Sequence, residues 1–206
     1  MSAGDRQRQL LDAALTVFSR KGFKGTTTKE IAAEAKVTEA VIFQHFPSKE
    51  ALYSAVLELN LGAWEADQDA VEICGYMERG DDEGLFRTVI LRILKCYRTN
   101  AAFQRVALFA ALEGHEQGIN RLREQFTPIF KQFHEYVEKR QREGAIREGD
   151  PFAILMHIIG VAHHYGLFTG IINAVTQDVS DEIVAERFTR ILLDGIRKPY
   201  PANIRE

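Results

Sequence analysis

Two groups of side chains have types and spacings that bear on chemistry. The first is His157, His163 and His164, which raise the question of a metal site or of acid–base work. On a helix, His157 and His164 share a face but stand two turns, about 10.5 Å, apart along the axis, while His163 points well away. No cysteine or carboxylate on that stretch completes a zinc set, and no nucleophile–base motif accompanies the histidines. The catalytic and metal sets are therefore read as empty and the chain as not an enzyme. The histidines are read as polar groups of a core or a pocket, able to hydrogen-bond a carboxylate, hydroxyl or carbonyl of a small molecule.

The second group lies between Thr26 and Lys49. It reads as two short helices, opened by Thr27 and Thr38, separated by a tight turn and closed by Pro47, Ser48 and Lys49. Helix pairs at this spacing are how proteins set a helix into the major groove of DNA.

The elements that position this segment follow from periodicity and caps. Leu10, Leu11, Ala14, Leu15 and Phe18 recur at helical spacing, so residues 5–21 form a first helix with one apolar face. Gly22 ends it, and Gly25 loosens the next turn. Thr27 with Glu30 makes a capping box for a helix over 28–35. Thr38 caps a third helix over 39–46, which Pro47 stops, and Ser48 caps a fourth that runs towards Trp64. Further helices are expected over 83–98, 101–113, 119–143, 151–175 and 181–196. Asp150-Pro151 and Ser180-Asp181-Glu182 are capped starts, and the tail with Pro199 and Pro201 is irregular. No alternating strand pattern occurs, so the fold class is all-α.

The ordered series Phe18, Gly22, Thr27, Ile31, Ala32, Val37, Thr38, Phe43, His45, Phe46, Lys49 and Leu52 resembles the N-terminal region of the tetracycline-repressor (TetR) family of bacterial regulators, over about residues 5–60. The resemblance implies a DNA-binding domain over 4–64, with the helix-turn-helix at about 28–47, and a C-terminal effector-binding and dimerisation domain over 65–206. It implies a ligand-responsive transcriptional repressor, a homodimer, and a palindromic double-stranded operator with the third helix in the major groove. Thr27 and Thr28 would offer hydroxyls and helix-start N–H groups to phosphates. Lys29 would reach a phosphate or the O6/N7 edge of guanine, Glu39 beside Thr38 would accept from cytosine N4, and Gln44 would pair with adenine. Ala40 and Val41 would give methyl contact to thymine, while His45 and Lys49 match positions that grip the backbone. Phe43 stands where the family commonly has tyrosine, so a hydroxyl contact to phosphate is missing, and Phe43 is either partly packed or a backbone contact. Lys36 occupies a turn position where glycine is frequent; a lysine at positive φ costs about 1 kcal/mol. Between Val37 and Ser48 there is no Lys or Arg, so affinity must lean on Lys29, Lys49, helix N-termini and Arg6 and Arg8.

In the C-terminal part, the helix over 151–175 has two faces. His157, Val161, His164 and Phe168 lie on one, pointing towards Phe126, Phe130 and Phe133, with Phe103 and Phe109 in reach. The 13 phenylalanines fit an aromatic-lined pocket for a small apolar or aromatic effector, or equally a core packed with the same rings. Pro128 is placed to kink its helix. Leu155, Ile159, Ala162, Gly166 and Gly170 line the other face. With Phe188, Ile191, Leu192 and Gly195 of the last helix they suit a four-helix dimer interface or ordinary packing within the chain, and the resemblance favours the dimer.

The net charge is −3. It divides into +2 over residues 1–50 and −5 over the remainder, which permits DNA binding at the N-terminal end. Cys74 and Cys96 are read as buried reduced thiols of a cytoplasmic protein. Pro151–Gln177 carries no Asp, Glu, Lys or Arg and is long enough to span a bilayer, but its histidines and the lack of flanking Lys/Arg favour a buried helix and no membrane partner. No cofactor is expected besides the unidentified effector. Two other functions stay open: a protein-interaction module that has kept a helix-turn-helix core, and, less favoured, a histidine-dependent helical enzyme.

Overall fold

Helix α1, Ala3–Lys21, starts two residues earlier than the apolar periodicity alone indicates, because Ser2 and Asp5 close a capping box ahead of it. In this computed structural model, which describes residues 2–65, 68–176 and 178–197, the helices that follow are α2 (Thr28–Glu34), α3 (Glu39–His45), α4 (Lys49–Glu65), α5 (Gln68–Arg79), α6 (Asp82–Thr99), α7 (Ala101–Leu112), α8 (Glu116–Arg142), α9 (Pro151–Gly166) and α10 (Asp181–Arg197), with a π-helical turn at Leu167–Ile171. No strand occurs among the described residues, as the all-α reading requires. The expected irregular tail with Pro199 and Pro201, the side chain of Trp64, and Gln177 lie outside the described residues.

Helix α5 is absent from the spans expected from the sequence. Ile73, Tyr76 and Met77 do recur at helical spacing along it, but Gly75 interrupts them, and among its described residues Val71 is exposed while Met77 is buried. The expected helix over 151–175 stops short: after the π turn the chain leaves helical geometry, and Asn173 takes a φ of 54°. Pro128 does not end α8, which continues through it.

The chain divides into two compact units. The first joins Met1–Ala66 to Asn100–Phe126, so α7 and the start of α8 pack with the residues expected in the DNA-binding domain. The reason is packing: Phe103 and Val106 of α7 belong to the same core as Leu10, Ala14 and Phe18 of α1, Ile31 of α2, Ile42 of α3, and Leu52, Tyr53 and Val56 of α4. Phe126 packs against that core too. Ala32 and Ala35, both buried, let the short helices cross closely.

In the second unit α6 is the central helix, packed by α5, α9 and α10, with Phe86, Ile90 and Leu94 buried on it. The side of α9 turned inward carries Leu155, Ile158, Ala162 and Gly166. Gly166 is required there: a Cβ would lie 2.4 Å from the Tyr97 ring. Tyr97 Oη is 3.1 Å from His163 Nδ1, and burial holds the His163 imidazole below its ordinary pKa. A buried ion cluster ties α6 to α8. Asp82 accepts from Tyr136 Oη at 2.6 Å, Arg140 Nε at 2.9 Å and Arg140 Nη2 at 3.0 Å. Both cysteines are free, but Cys74 is exposed and Cys96 half-buried, so the buried-thiol expectation fails for Cys74; it sits on the weakly covered α5.

Candidate nucleic-acid interface

Local chemistry builds the α2–α3 pair. Thr27 accepts from the Glu30 N–H at 3.3 Å, while the Glu30 carboxylate takes the Thr27 N–H and hydroxyl, each at 3.0 Å. Lys21 also bonds Glu30. These partners, Lys21 first, hold the Glu30 carboxyl down at about 2. A depressed carboxyl stabilises the fold fully above its unfolded value of 4.5, and that contribution fades below 4.5 and is gone once the pH has fallen through about 2. Lys36 turns the chain at a φ of 55°, as its position demands. Val37 N–H then bonds Ala32 O at 2.9 Å. Thr38 occupies the N-cap of α3 in extended conformation, but its hydroxyl makes no capping bond, contrary to the expectation that it caps through its side chain.

Behind α3, Ile42 and Phe46 are buried. In front, Thr38, Ala40, Phe43 and Gln44 are exposed, with Val41 and His45 half-buried at the edges. Phe43, at 49% exposure, is not a core residue. Thr27 and Lys29 are exposed at the start of α2. This is a surface of hydroxyl, amide, methyl and ring groups on a short helix with a fixed base.

The family profile described as bacterial regulatory proteins, tetR family, matches residues 10–56, which span α1 through the first half of α4. Over 197 residues, 93% of this chain and 91% of the relative, the sequence is 28% identical to the HTH-type transcriptional regulator RutR of Escherichia coli K12. Residues 10–56 form a TetR-type DNA-binding domain. The chain is a DNA-binding transcription regulator, as the family's members are. Two solved structures share the whole fold. The ketosteroid transcriptional regulator KstR2 of Mycobacterium tuberculosis superposes with a TM-score of 0.70 at 18% identity, covering 94% of this chain and 96% of that one. AibR, solved with isovaleryl coenzyme A and operator DNA, superposes with a TM-score of 0.67 at 17% identity, covering 91% and 98%.

Within the TetR-type head, several of the expected DNA contacts have internal partners. Thr28 Oγ1 donates to Glu39 Oε2 at 2.6 Å, so the two residues staple the starts of α2 and α3 to each other. Lys49 Nζ donates to Phe23 O and to Thr26 O, each at 2.9 Å, and lies 4.2 Å from the Phe23 ring centroid. Two of its three donors are thus spent on the α1–α2 turn. Replacing Lys49 by methionine keeps the stem over Phe23 and removes both bonds. The expected result is a lower melting temperature, from a loss of about 1–3 kcal/mol, with the salt slope of DNA binding unchanged. A slope reduced by about one unit in a salt titration would instead make Lys49 a phosphate contact. Arg6 Nη1 likewise donates to Gln9 Oε1 at 2.7 Å, and Gln9 Nε2 to Ala35 O at 2.9 Å, whereas Arg8 is exposed.

The head has supports that the sequence reading missed. Glu113, at the end of α7, accepts from the Phe23 N–H at 3.0 Å and the Lys24 N–H at 3.2 Å. His115 stacks edge-on to Phe23 with ring centroids 4.4 Å apart. These contacts join positions about 90 residues apart in sequence, and no local pattern signals them. A groove between α1 and α4, lined by Arg8, Leu11, Asp12, Leu15, Glu58 and Leu59, was equally unannounced.

The residues of the expected pocket fall in both units. Phe103 and Phe126 pack in the core of the first unit and Phe109 abuts Gly22 there, while Phe130, Phe133 and Phe168 belong to the second. His157, Val161 and His164 are exposed on α9. The α9 face assigned to the dimer is instead turned inward: Leu155, Ala162 and Gly166 are buried, Gly170 lies against the Tyr97 backbone, and only Ile159 is half-exposed. The two faces are exchanged because Tyr97 fills the small-residue notch at Gly166 and Gly170 from within the chain. Of the α10 members, Ile191 is 71% exposed, Gly195 is exposed, and Phe188 and Leu192 are half-buried.

Proposed function

We propose that this protein is a homodimeric repressor that reads a palindromic operator through α3 and leaves it when a small molecule binds. The exposed face of α3, with Thr38, Ala40, Phe43 and Gln44 outward and Ile42 and Phe46 locked behind, carries this reading. A helix so anchored presents its side chains at fixed positions to a major groove. Few charges assist it. Lys29 and Arg8 supply phosphate contacts, and sequence choice falls to Glu39, Gln44 and the methyl groups of Ala40 and Val41. The isovaleryl coenzyme A bound to AibR and the ketosteroid named for KstR2 support an effector with an apolar part.

Fluorescence anisotropy of the full chain against its own upstream intergenic DNA tests the reading. Binding about a thousandfold or more tighter than to scrambled DNA of equal length is expected. Equal affinity for both would sink it and favour the interaction-module alternative. The Thr28–Glu39 bond gives a sharper expectation. Glu39→Gln keeps an acceptor for Thr28 but removes a negative charge from the reading surface. Affinity for scrambled DNA should rise, and the operator-to-scrambled ratio should fall about tenfold, the worth of one base-reading contact. A ratio left intact would remove Glu39 from base recognition.

A further inference from the structure

The turn from α2 into α3 ends on a carbonyl that takes no backbone donor among the described residues. Lys36 N–H bonds Ala33 O at 3.1 Å and Val37 N–H bonds Ala32 O at 2.9 Å, the paired bonds that close a helix on a left-handed residue. Lys36 is that residue, at a φ of 55°, and its Cβ makes costly a conformation that glycine adopts freely. These bonds leave Ala35 O over. Ala35 is 2% exposed, so its carbonyl needs a partner inside the protein. The donor is Gln9 Nε2 of α1, at 2.9 Å and 26 positions away in sequence. The other end of the same amide, Gln9 Oε1, accepts from Arg6 Nη1 at 2.7 Å. A guanidinium only donates and a carbonyl only accepts, so the two partners fix which way the amide points.

We propose that Gln9 is a positioning residue for base reading: by holding Ala35 O it fixes the α2–α3 turn, and with it the direction of α3. The proposal rests on the reading of DNA through α3 given above and adds a residue that acts on α3 from behind. Two observations support it besides the bonds themselves. The start of α3 has little hold of its own: the helix has seven residues, and the Thr38 hydroxyl at its N-cap makes no capping bond, whereas α2 begins with a complete capping box. Its direction therefore depends on the turn that delivers it. The chemistry also calls for glutamine. Glutamate would keep the bond to Arg6 but set a carboxylate oxygen against the Ala35 carbonyl. Lysine would donate to that carbonyl but give Arg6 nothing to bond. Asparagine is one methylene shorter and cannot span both partners. A half-buried amide of this length serves both at once, and loss of its donor leaves a buried carbonyl unpaired beside a strained residue.

Anisotropy titrations of the full chain on its own upstream intergenic DNA and on a scrambled duplex of equal length read the role as a ratio of affinities. Gln9→Met keeps the length of the side chain and removes both bonds. The ratio should fall about tenfold, the worth of one base-reading contact. Affinity for the scrambled duplex, which the phosphates dominate, should stay within about twofold of wild type. Gln9→Glu should lose at least as much of the ratio, and Gln9→Lys, which restores the donor, should regain most of it. A residue that only stabilised the fold would lower the melting temperature and weaken both duplexes alike; an unchanged ratio in folded Gln9→Met overturns the positioning role. A Gln9→Met protein that matches wild type while only the charged variants shift assigns the effect to charge and overturns it too. Amide hydrogen exchange tests the turn without DNA. In Gln9→Met the Lys36 and Val37 amides should exchange at least about tenfold faster, with Phe46 unchanged; an unchanged Val37 rate overturns the hold on the turn. Failure of the α3 reading looks different: the wild type itself then binds both duplexes equally, which removes the positioning role along with it.

Discussion

Replacing Asp82 by alanine is expected to lower the unfolding free energy by about 3–5 kcal/mol, the cost of breaking a buried ion pair from one side. The carboxylate is almost fully enclosed, with a side-chain exposure of 4% against 16% for Arg140, and it satisfies three donors. Its loss strands the Tyr136 hydroxyl, which burial and the bond to Asp82 hold above the ordinary phenol range, and the Arg140 guanidinium, whose protonated form Asp82 strengthens. Arg140 keeps its bond to Glu143, which supplies no acceptor to Tyr136 in the folded protein. Urea unfolding at one fixed protein concentration should show the loss as a lower midpoint. Tyr136→Phe removes one donor and leaves the ion pair, so about 1 kcal/mol is expected. A midpoint for Asp82→Ala no lower than that of Tyr136→Phe would mean that Arg140 finds solvent or another partner and that the cluster does not hold α6 to α8.

Why α2 and α3 were legible in the sequence while α9 was misassigned follows from the range of the forces. Thr27 and Glu30 are three residues apart and satisfy each other's backbone groups, so the start of α2 is written locally. The strained Lys36 was equally local. On α9 the periodicity set His157, Val161 and His164 apart from Leu155, Ala162 and Gly166, but both sets are uncharged, so nothing in the pattern says which one turns inward. Tyr97 decides it by filling the space above Gly166 and Gly170, and Tyr97 is on another helix. Lys49 shows the same limit inside the candidate site. Its family position points to DNA, but its actual partners, the carbonyls of Phe23 and Thr26, are set by how the α1–α2 turn folds back. The grouping of α7 with the DNA-binding head is a further long-range effect, since Phe103 and Val106 read as apolar helix positions with no stated destination.

That turn is the setting for the second large effect, which concerns affinity. Glu113→Ala is expected to weaken operator binding about tenfold while leaving the helix content intact. The carboxylate holds the Phe23 and Lys24 N–H groups, and Gly22, at a φ of 69°, leaves it room: a Cβ on Gly22 would fall 2.2 Å from Glu113 Oε1. Without the carboxylate the half-buried Phe23 N–H loses its acceptor, a cost of about 1–2 kcal/mol at a partly exposed site. Phe23 O and Thr26 O, which seat Lys49, lie in the same turn, directly before the Thr27 cap that begins α2. The Lys24 ammonium keeps its bond to the Glu113 carbonyl in the variant, so the turn loosens without detaching. About 1.4 kcal/mol corresponds to tenfold in affinity, provided that the tight turn is the DNA-competent one. Anisotropy titrations over a range of salt should give parallel lines for the wild type and the variant, because no phosphate contact is removed. Glu113→Gln, which keeps one good acceptor, should fall between them. The sign of the effect separates positioning from bulk electrostatics. Deleting a carboxylate from a protein that binds a polyanion should tighten binding if charge alone mattered; weaker binding at every salt concentration requires that Glu113 act through the geometry of the turn.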